Sequence, residues 1–215
     1  MKCIAMALLL SAACMAAQPS ASEPHFYWSL SKSHELPYHH NLGNAKELSE
    51  GDRAALIRQV MQLVRPFMED NEIANEAELR KLARNTRIEL VDLNGDNKPE
   101  YILQAFDIKE GCGATGNCTF WIFVKTDHGF KKILDTRDKD GIGGDERITV
   151  ESYSTNGFRD IVLAAHASAA EKSLELYRYE LGMYRLKECY WADWVDHDHD
   201  ERALKNPVIG ACPKP

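Results

Sequence analysis

The sequence predicts a mainly β fold with an N-terminal helix, built from two repeated four-stranded antiparallel units that form a sandwich or propeller-like arrangement. Three observations predict it. Apolar residues recur at helical spacing only between positions 49 and 84. From Arg87 onward they fall in short runs rich in β-branched and aromatic residues, bounded by Gly and Asn. Those runs also repeat. Glu100-Tyr-Ile-Leu103 matches Asp160-Ile-Val-Leu163, and the turns Asn94-Gly95 and Asn156-Gly157 precede them. Each copy continues with an aromatic strand, a Gly turn and a closing strand, which places the repeats at about 86–135 and 146–190. A complete propeller needs at least four such blades and is excluded.

Taken in order, residues 1–21 read as a secretory signal. Lys2 supplies the positive start, Ile4 to Ala13 is apolar, and small residues follow to Ala21. The apolar run is too short to span a bilayer. The expected location is therefore periplasmic or secreted. Cys14 follows Ser11-Ala12-Ala13 and resembles the lipid-modified cysteine of a bacterial lipoprotein, which would make the chain an outer-membrane lipoprotein. Ser11 stands where Leu is usual, so ordinary cleavage near Ala16 or Ala17 is favoured.

Residues 22–48 are polar and carry Pro24, Pro37 and Gly43, which predicts an extended arm. A single β-rich domain with N-terminal helices fills 49–215. Ser49 is a natural N-cap, with Asp52 three residues later. Leu56, Val60, Leu63, Val64 and Phe67 then form one apolar face, and Pro66 makes the last turn irregular. A second helix is expected over 76–84, with Leu79 and Leu82 inward. Strands are expected at 88–91, 101–106, 119–125, 130–134, 148–153, 160–165, 174–179 and 183–188.

The 215 residues carry 26 basic and 33 acidic side chains, a net charge of −7. That balance argues against nucleic acid as a partner and suits a basic one, because opposite fields speed encounter. Beyond the signal, Cys112, Cys118, Cys189 and Cys212 are an even set in an exported chain, which reads as two disulfides. Three connectivities are open, and the local pairs Cys112–Cys118 and Cys189–Cys212 are favoured. Zinc is the weaker alternative, because no CxxC pair occurs.

The stretch Asp92-Leu-Asn-Gly-Asp-Asn-Lys-Pro-Glu100 is the most informative in the chain. Oxygen side chains recur at Asp92, Asn94, Asp96 and Glu100, and Gly95 permits a tight turn. Calcium takes six to eight oxygens, and alternate positions of a turning loop can supply them. The plain alternative is a polar hairpin turn. The loop is not an EF-hand, since its sixth position is Asn97 and its twelfth Leu103. At a spacing of 60 the second repeat carries Ser152, Ser154, Asn156 and Asp160 instead, so three carboxylates become one and the copy is expected to be metal-free.

The copy, Ser152-Tyr-Ser-Thr-Asn-Gly-Phe158, combines two aromatics with small hydrogen-bonding residues at a hairpin end. Tyr153, Ser154, Asn156, Gly157 and Phe158 suit insertion into a concave partner, with aromatics as anchors and small polar groups as adaptable contacts. The alternative is a loop whose aromatics pack on the core. His197-Asp198-His199-Asp200, His39-His40 and the acids Asp138, Asp140 and Asp145 read as solvated segments or turns. No Gly-x-Ser-x-Gly elbow, Walker loop, His-Glu-x-x-His or dinucleotide fingerprint is present. His166 lies near Ser168 and Glu171, but a triad is defined by geometry. No enzymatic activity is expected.

The Asp92–Glu100 stretch resembles the calcium loops of integrin-type propeller blades, and by that resemblance Lys98 contributes its backbone carbonyl. Over residues 86–190 the chain resembles a family of exported bacterial proteins. The resemblance rests on the acidic loop with Tyr101, on Cys112-Gly-x-x-Gly-Asn-Cys118, on Asn156-Gly-Phe-x-Asp160 and on His166-Ala-Ser168. Members include periplasmic immunity proteins of the Xanthomonas type IV secretion system, which look like periplasmic inhibitors of invertebrate-type lysozyme. Those inhibitors block the catalytic cleft with a protruding loop containing Ser, Gly and Tyr. The resemblance implies an inhibitor of a peptidoglycan-cleaving enzyme that inserts Ser154, Gly157 and Phe158, with Phe where Tyr is expected. The alternative function is a calcium-stabilised, non-catalytic module that binds a component of the cell envelope.

Overall fold

The computed structural model describes residues 40–69, 72–105, 112, 117–137, 148–196 and 202–212. The signal segment, most of the arm, Asp138 to Asp145 and the His197–Asp200 cluster lie outside them. Two helices lead. α1 is Glu50–Val64, and Ser49 caps it by accepting the Asp52 N–H at 3.1 Å. α2 is Glu76–Asn85, capped by Asn75, whose Oδ1 accepts from Ala77 and Glu78. The buried face of α1 is Leu56, Ile57, Val60, Met61 and Val64. Leu63 is only partly buried and Phe67 is exposed. Pro66 explains the exposure of Phe67, because it sits in a 3-10 turn, Arg65–Phe67, that ends the helix and breaks its periodicity; Leu63, still within α1, packs against the core. In α2, Ala83 is buried beside Leu79, while Leu82 is partly covered.

Ten strands follow the expected order with two additions. β1 is His40–Asn41, β2 Arg87–Val91, β3 Glu100–Gln104, β4 Phe120–Thr126 and β5 Gly129–Asp135. β6 is Ile148–Thr155, β7 Phe158–His166, β8 Glu171–Glu180, β9 Met183–Asp196 and β10 Arg202–Ala211. All pairings are antiparallel, in two five-stranded sheets ordered β1-β2-β3-β4-β5 and β10-β9-β8-β7-β6, and one sheet curls into a half-barrel. Each four-stranded repeat is thus widened by one edge strand. β10 escapes the strand pattern because Lys205-Asn206-Pro207 interrupts it, at a register shift between Ala203 and Val208. An edge strand tolerates such a Pro. The end of the expected arm is not extended, since Leu42, Ala45 and Leu48 are buried against the helices.

The alternation of strand residues sorts the core into layers. Ile88, Tyr101, Leu103, Trp121 and Phe123 of the first sheet face α1 and α2. Ile102, Phe120, Ile122, Ile133 and Leu134 face the second sheet, meeting Ile148, Ile161, Leu163, Tyr177 and Tyr184. The other face of the second sheet holds a third cluster around Val162, Ala164, Leu174, Leu176 and Tyr190. The order is therefore helices, sheet, sheet, as a sandwich and not a propeller. Disulfides join Cys112 to Cys118 and Cys189 to Cys212, and the second ties the end of β10 to β9. Among the described residues no helix is long and apolar enough to cross a membrane.

Candidate functional site

The hairpins β2–β3, β4–β5, β6–β7 and β8–β9 all turn at the same end of the molecule, where two hydrogen bonds tie turns together and a third pair of elements comes close. The Arg159 N–H donates to the Leu93 carbonyl at 2.6 Å, joining the acidic loop of the first sheet to the β6–β7 hairpin of the second. The Asn156 side-chain amide donates to the Tyr179 carbonyl at 2.7 Å, joining β6–β7 to β8. The Lys131 ammonium of β5 lies over Gly182, where an added Cβ would meet it at 3.1 Å.

The acidic loop is closed by its own amides. Asp92 accepts from Gly95 at 2.7 Å and from Asn97 at 3.0 Å. Asn94 accepts from the Asp96 N–H, and Asp96 from the Lys98 N–H. These are side-chain-to-backbone turns that Asn and Asp form readily. Glu100 is different, because it is 1 % exposed and opens β3. Its carboxylate accepts from the Leu93 N–H at 2.7 Å and from the Asn94 amide at 3.1 Å. Burial pushes its pKa up against the pull of the Leu93 N–H, and Asp96 and Asp92 add to the rise. Among the described residues, no group of three or more His, Cys, Asp or Glu side chains is arranged to hold a metal ion. The all-oxygen donor set nonetheless suits a hard cation chemically, and the buried Glu100 beside two other acids is the feature a cation would stabilise.

The copy of this loop is a two-residue turn. Asn156 and Gly157 have φ of 51° and 84°, the left-handed pair that a tight hairpin requires, and Asn-Gly is well suited to it. Ser154, Asn156 and Gly157 are exposed. Phe158 is half-buried and stacks on Tyr179 with ring centroids 3.9 Å apart, so it forms the base of the tip and not its point. Tyr153 is half-buried against the third cluster. The register shift in β6 between Val150 and Ser154 frees two carbonyls, and the Arg159 guanidinium binds them, at 2.6 Å from Glu151 O and 3.2 Å from Val150 O.

Asp160 is fully buried and its Oδ2 takes the Arg178 Nε at 3.1 Å, while Arg178 Nη2 reaches Glu188 at 2.7 Å. Burial pushes the neighbouring Glu151 carboxyl up, and Asp160 pushes it further. Arg178 went unnoticed in the sequence because its partner is separated from it by a strand and a loop.

The β8–β9 turn lies where the sequence places a Gly turn, at Leu181-Gly182, but Leu181 itself was not singled out as a site residue. Leu181 and Gly182 have φ of 52° and 84°, the same left-handed pair as the other turn. A Leu there costs about 1–2 kcal/mol, because its Cβ crowds the following carbonyl. Its side chain is 92 % exposed, the most of any large apolar residue described. A Gly following an apolar residue between two strands was the available signal.

At the opposite end, Asn117 pairs with the His166 backbone in both directions, at 2.9 and 2.7 Å, and so ties the Cys118 segment to β7. Ser168 Oγ accepts from the N–H groups of Ala170 and Glu171, which builds it into a turn. A recess of about 250 Å³ there is lined by His166, Glu171, Lys172 and Trp194. Comparison with protein-family models, with curated proteins and with solved structures returned no match.

Proposed function

We propose that the chain is an exported, periplasmic inhibitor of a peptidoglycan-cleaving, lysozyme-like enzyme, and that it acts by inserting a loop into the enzyme's cleft. The observation that carries this reading is the stiff end of the sandwich. There the β6–β7 turn is tied to the acidic loop and to β8, so Ser154, Asn156 and Gly157 stand exposed on a preorganised tip. Preorganisation matters because a loop already in its bound shape loses little entropy on docking. Phe158 and Tyr153 support the tip from behind. The resemblance of residues 86–190 to periplasmic lysozyme inhibitors points the same way. The two disulfides suit an oxidising compartment, and a lipid at Cys14 would hold the chain at the membrane that faces such enzymes.

Calcium belongs to the proposal as a brace. Asp92, Asn94, Asp96, Glu100 and the Lys98 carbonyl would hold it, and it would offset the charge that burial makes costly at Glu100. Calorimetry with calcium on chelator-treated protein tests this part. Heat and a raised melting temperature are expected, and neither appearing removes the metal.

Turnover of purified peptidoglycan by chicken-, goose- and invertebrate-type lysozymes tests the function. The chain is expected to slow at least one, and Ser154→Arg, which puts a long charged side chain on the tip, is expected to relieve the block. If the enzymes run at full rate with the wild-type chain, the inhibitor reading fails.

A further inference from the structure

The two turns of the second sheet have the same backbone and opposite chemistry. Asn156-Gly157 carries the residues its geometry favours, whereas Leu181-Gly182 places a Leu in left-handed backbone and holds it in solvent. Single exposed apolar residues are ordinary on a protein surface. An apolar residue at a position where Asn would relieve strain, on the point of a long hairpin, is not explained that way.

The surroundings hold the flanks of the turn that carries the Leu. Tyr179 and Tyr184 flank the turn and pack edge-to-face, and Phe158 stacks on Tyr179. Glu180 and Lys187 form an ion pair across the hairpin. The Asn156 side chain holds the Tyr179 carbonyl, so both tips move as one unit. Apart from Leu181, the exposed face of this end is polar, with Ser154, Asn156, Asp96 and Asn97 open to solvent.

We infer that Leu181 is the apolar anchor of the partner-binding end. It fits a protein partner whose cleft carries a small apolar pocket beside polar groups that meet Ser154 and Asn156. A side chain that enters a dry pocket and is ringed by contacts that exclude water is the usual arrangement of a binding hot spot. This inference rests on the inhibitor reading and adds a second contact to it.

The test is Leu181→Asn in the mature chain, measured for melting temperature and for inhibition of the same three lysozymes. Asn is at home in left-handed backbone, so the variant is expected to melt no lower than wild type. Its inhibition is expected to weaken by roughly tenfold or more. The combination separates an anchor from a structural residue, whose loss would lower stability. If wild type inhibits an enzyme and Leu181→Asn inhibits it equally, the anchor is overturned while the inhibitor reading stands. If wild type inhibits none of the three, both fall.

Discussion

Glu100 and Asp160 occupy the same place in the two repeats, at or near the start of the second strand, and both are almost fully buried. They are satisfied in different ways. Glu100 is held by an amide and a side chain of its own loop, while Asp160 takes the guanidinium of Arg178 from the next strand. The first repeat keeps an eight-residue loop folded around its acid. The second neutralises its acid across the sheet and needs only a two-residue turn. The buried acid is thus a structural feature of the repeat, and the loop above it was free to diverge. Under the proposed function, one copy is a brace and the other a tip.

The sharpest way to break this comparison is to remove the cation from the second copy. Arg178→Ala leaves Asp160 buried with an unpaired charge. Breaking a buried pair costs about 3–5 kcal/mol, and the partial exposure of Arg178 puts the expected loss near the lower end. Chemical denaturation measures it, and a loss below about 1 kcal/mol would show that Asp160 does not depend on Arg178. Next in size is the C-terminal staple. Cys212→Ser opens a loop of 23 residues and frees β10, with an expected loss of about 2–4 kcal/mol. Reducing agent should then have little further effect on that edge.

The first copy is tested by pH. Burial raises the Glu100 pKa in the folded state, so the folded chain binds its proton more tightly than the unfolded chain. The stability this gives is greatest below the ordinary carboxylate pKa and is lost as pH rises through the folded value. Glu100→Gln removes that dependence, so its melting temperature relative to wild type should climb as pH rises from acidic to neutral. A constant difference between the two would mean that burial does not raise the Glu100 pKa in the folded chain. Calcium added at neutral pH should narrow the gap by stabilising the wild-type charge. Smallest of all is Gly157→Ala, which puts a Cβ on left-handed backbone and should cost about 1 kcal/mol. The fold should survive it unchanged by circular dichroism.

Much of this architecture was legible in the sequence because its signals are local. Short runs of β-branched and aromatic residues marked eight strands, Ser49 marked the start of α1, and the Asn-Gly pairs marked two of the turns. What stayed hidden depends on distant partners. β1 is two residues long and exists only because β2 offers its edge. Leu42, Ala45 and Leu48 recur every third residue, yet the polar context masked their burial against the helices. Phe158 reads as a protruding aromatic until the β7–β8 register brings Tyr179 beneath it. The apolar face of α1 was misread at Phe67, because Pro66 changes the helical period just where the pattern was extended. The disulfide pairing was read correctly from proximity alone, since both bridges are local in the chain.

Brace and tip make opposite demands on mutants, and a paired measurement separates them. Asp92→Ala removes the acceptor for two loop amides, and Ser154→Arg alters only an exposed side chain. Melting temperature and lysozyme inhibition are measured for both. The expected result is that Asp92→Ala melts lower yet inhibits like wild type, while Ser154→Arg melts like wild type and no longer inhibits. The reverse pattern, with inhibition lost at Asp92 and kept at Ser154, would contradict the division of labour between the two repeats.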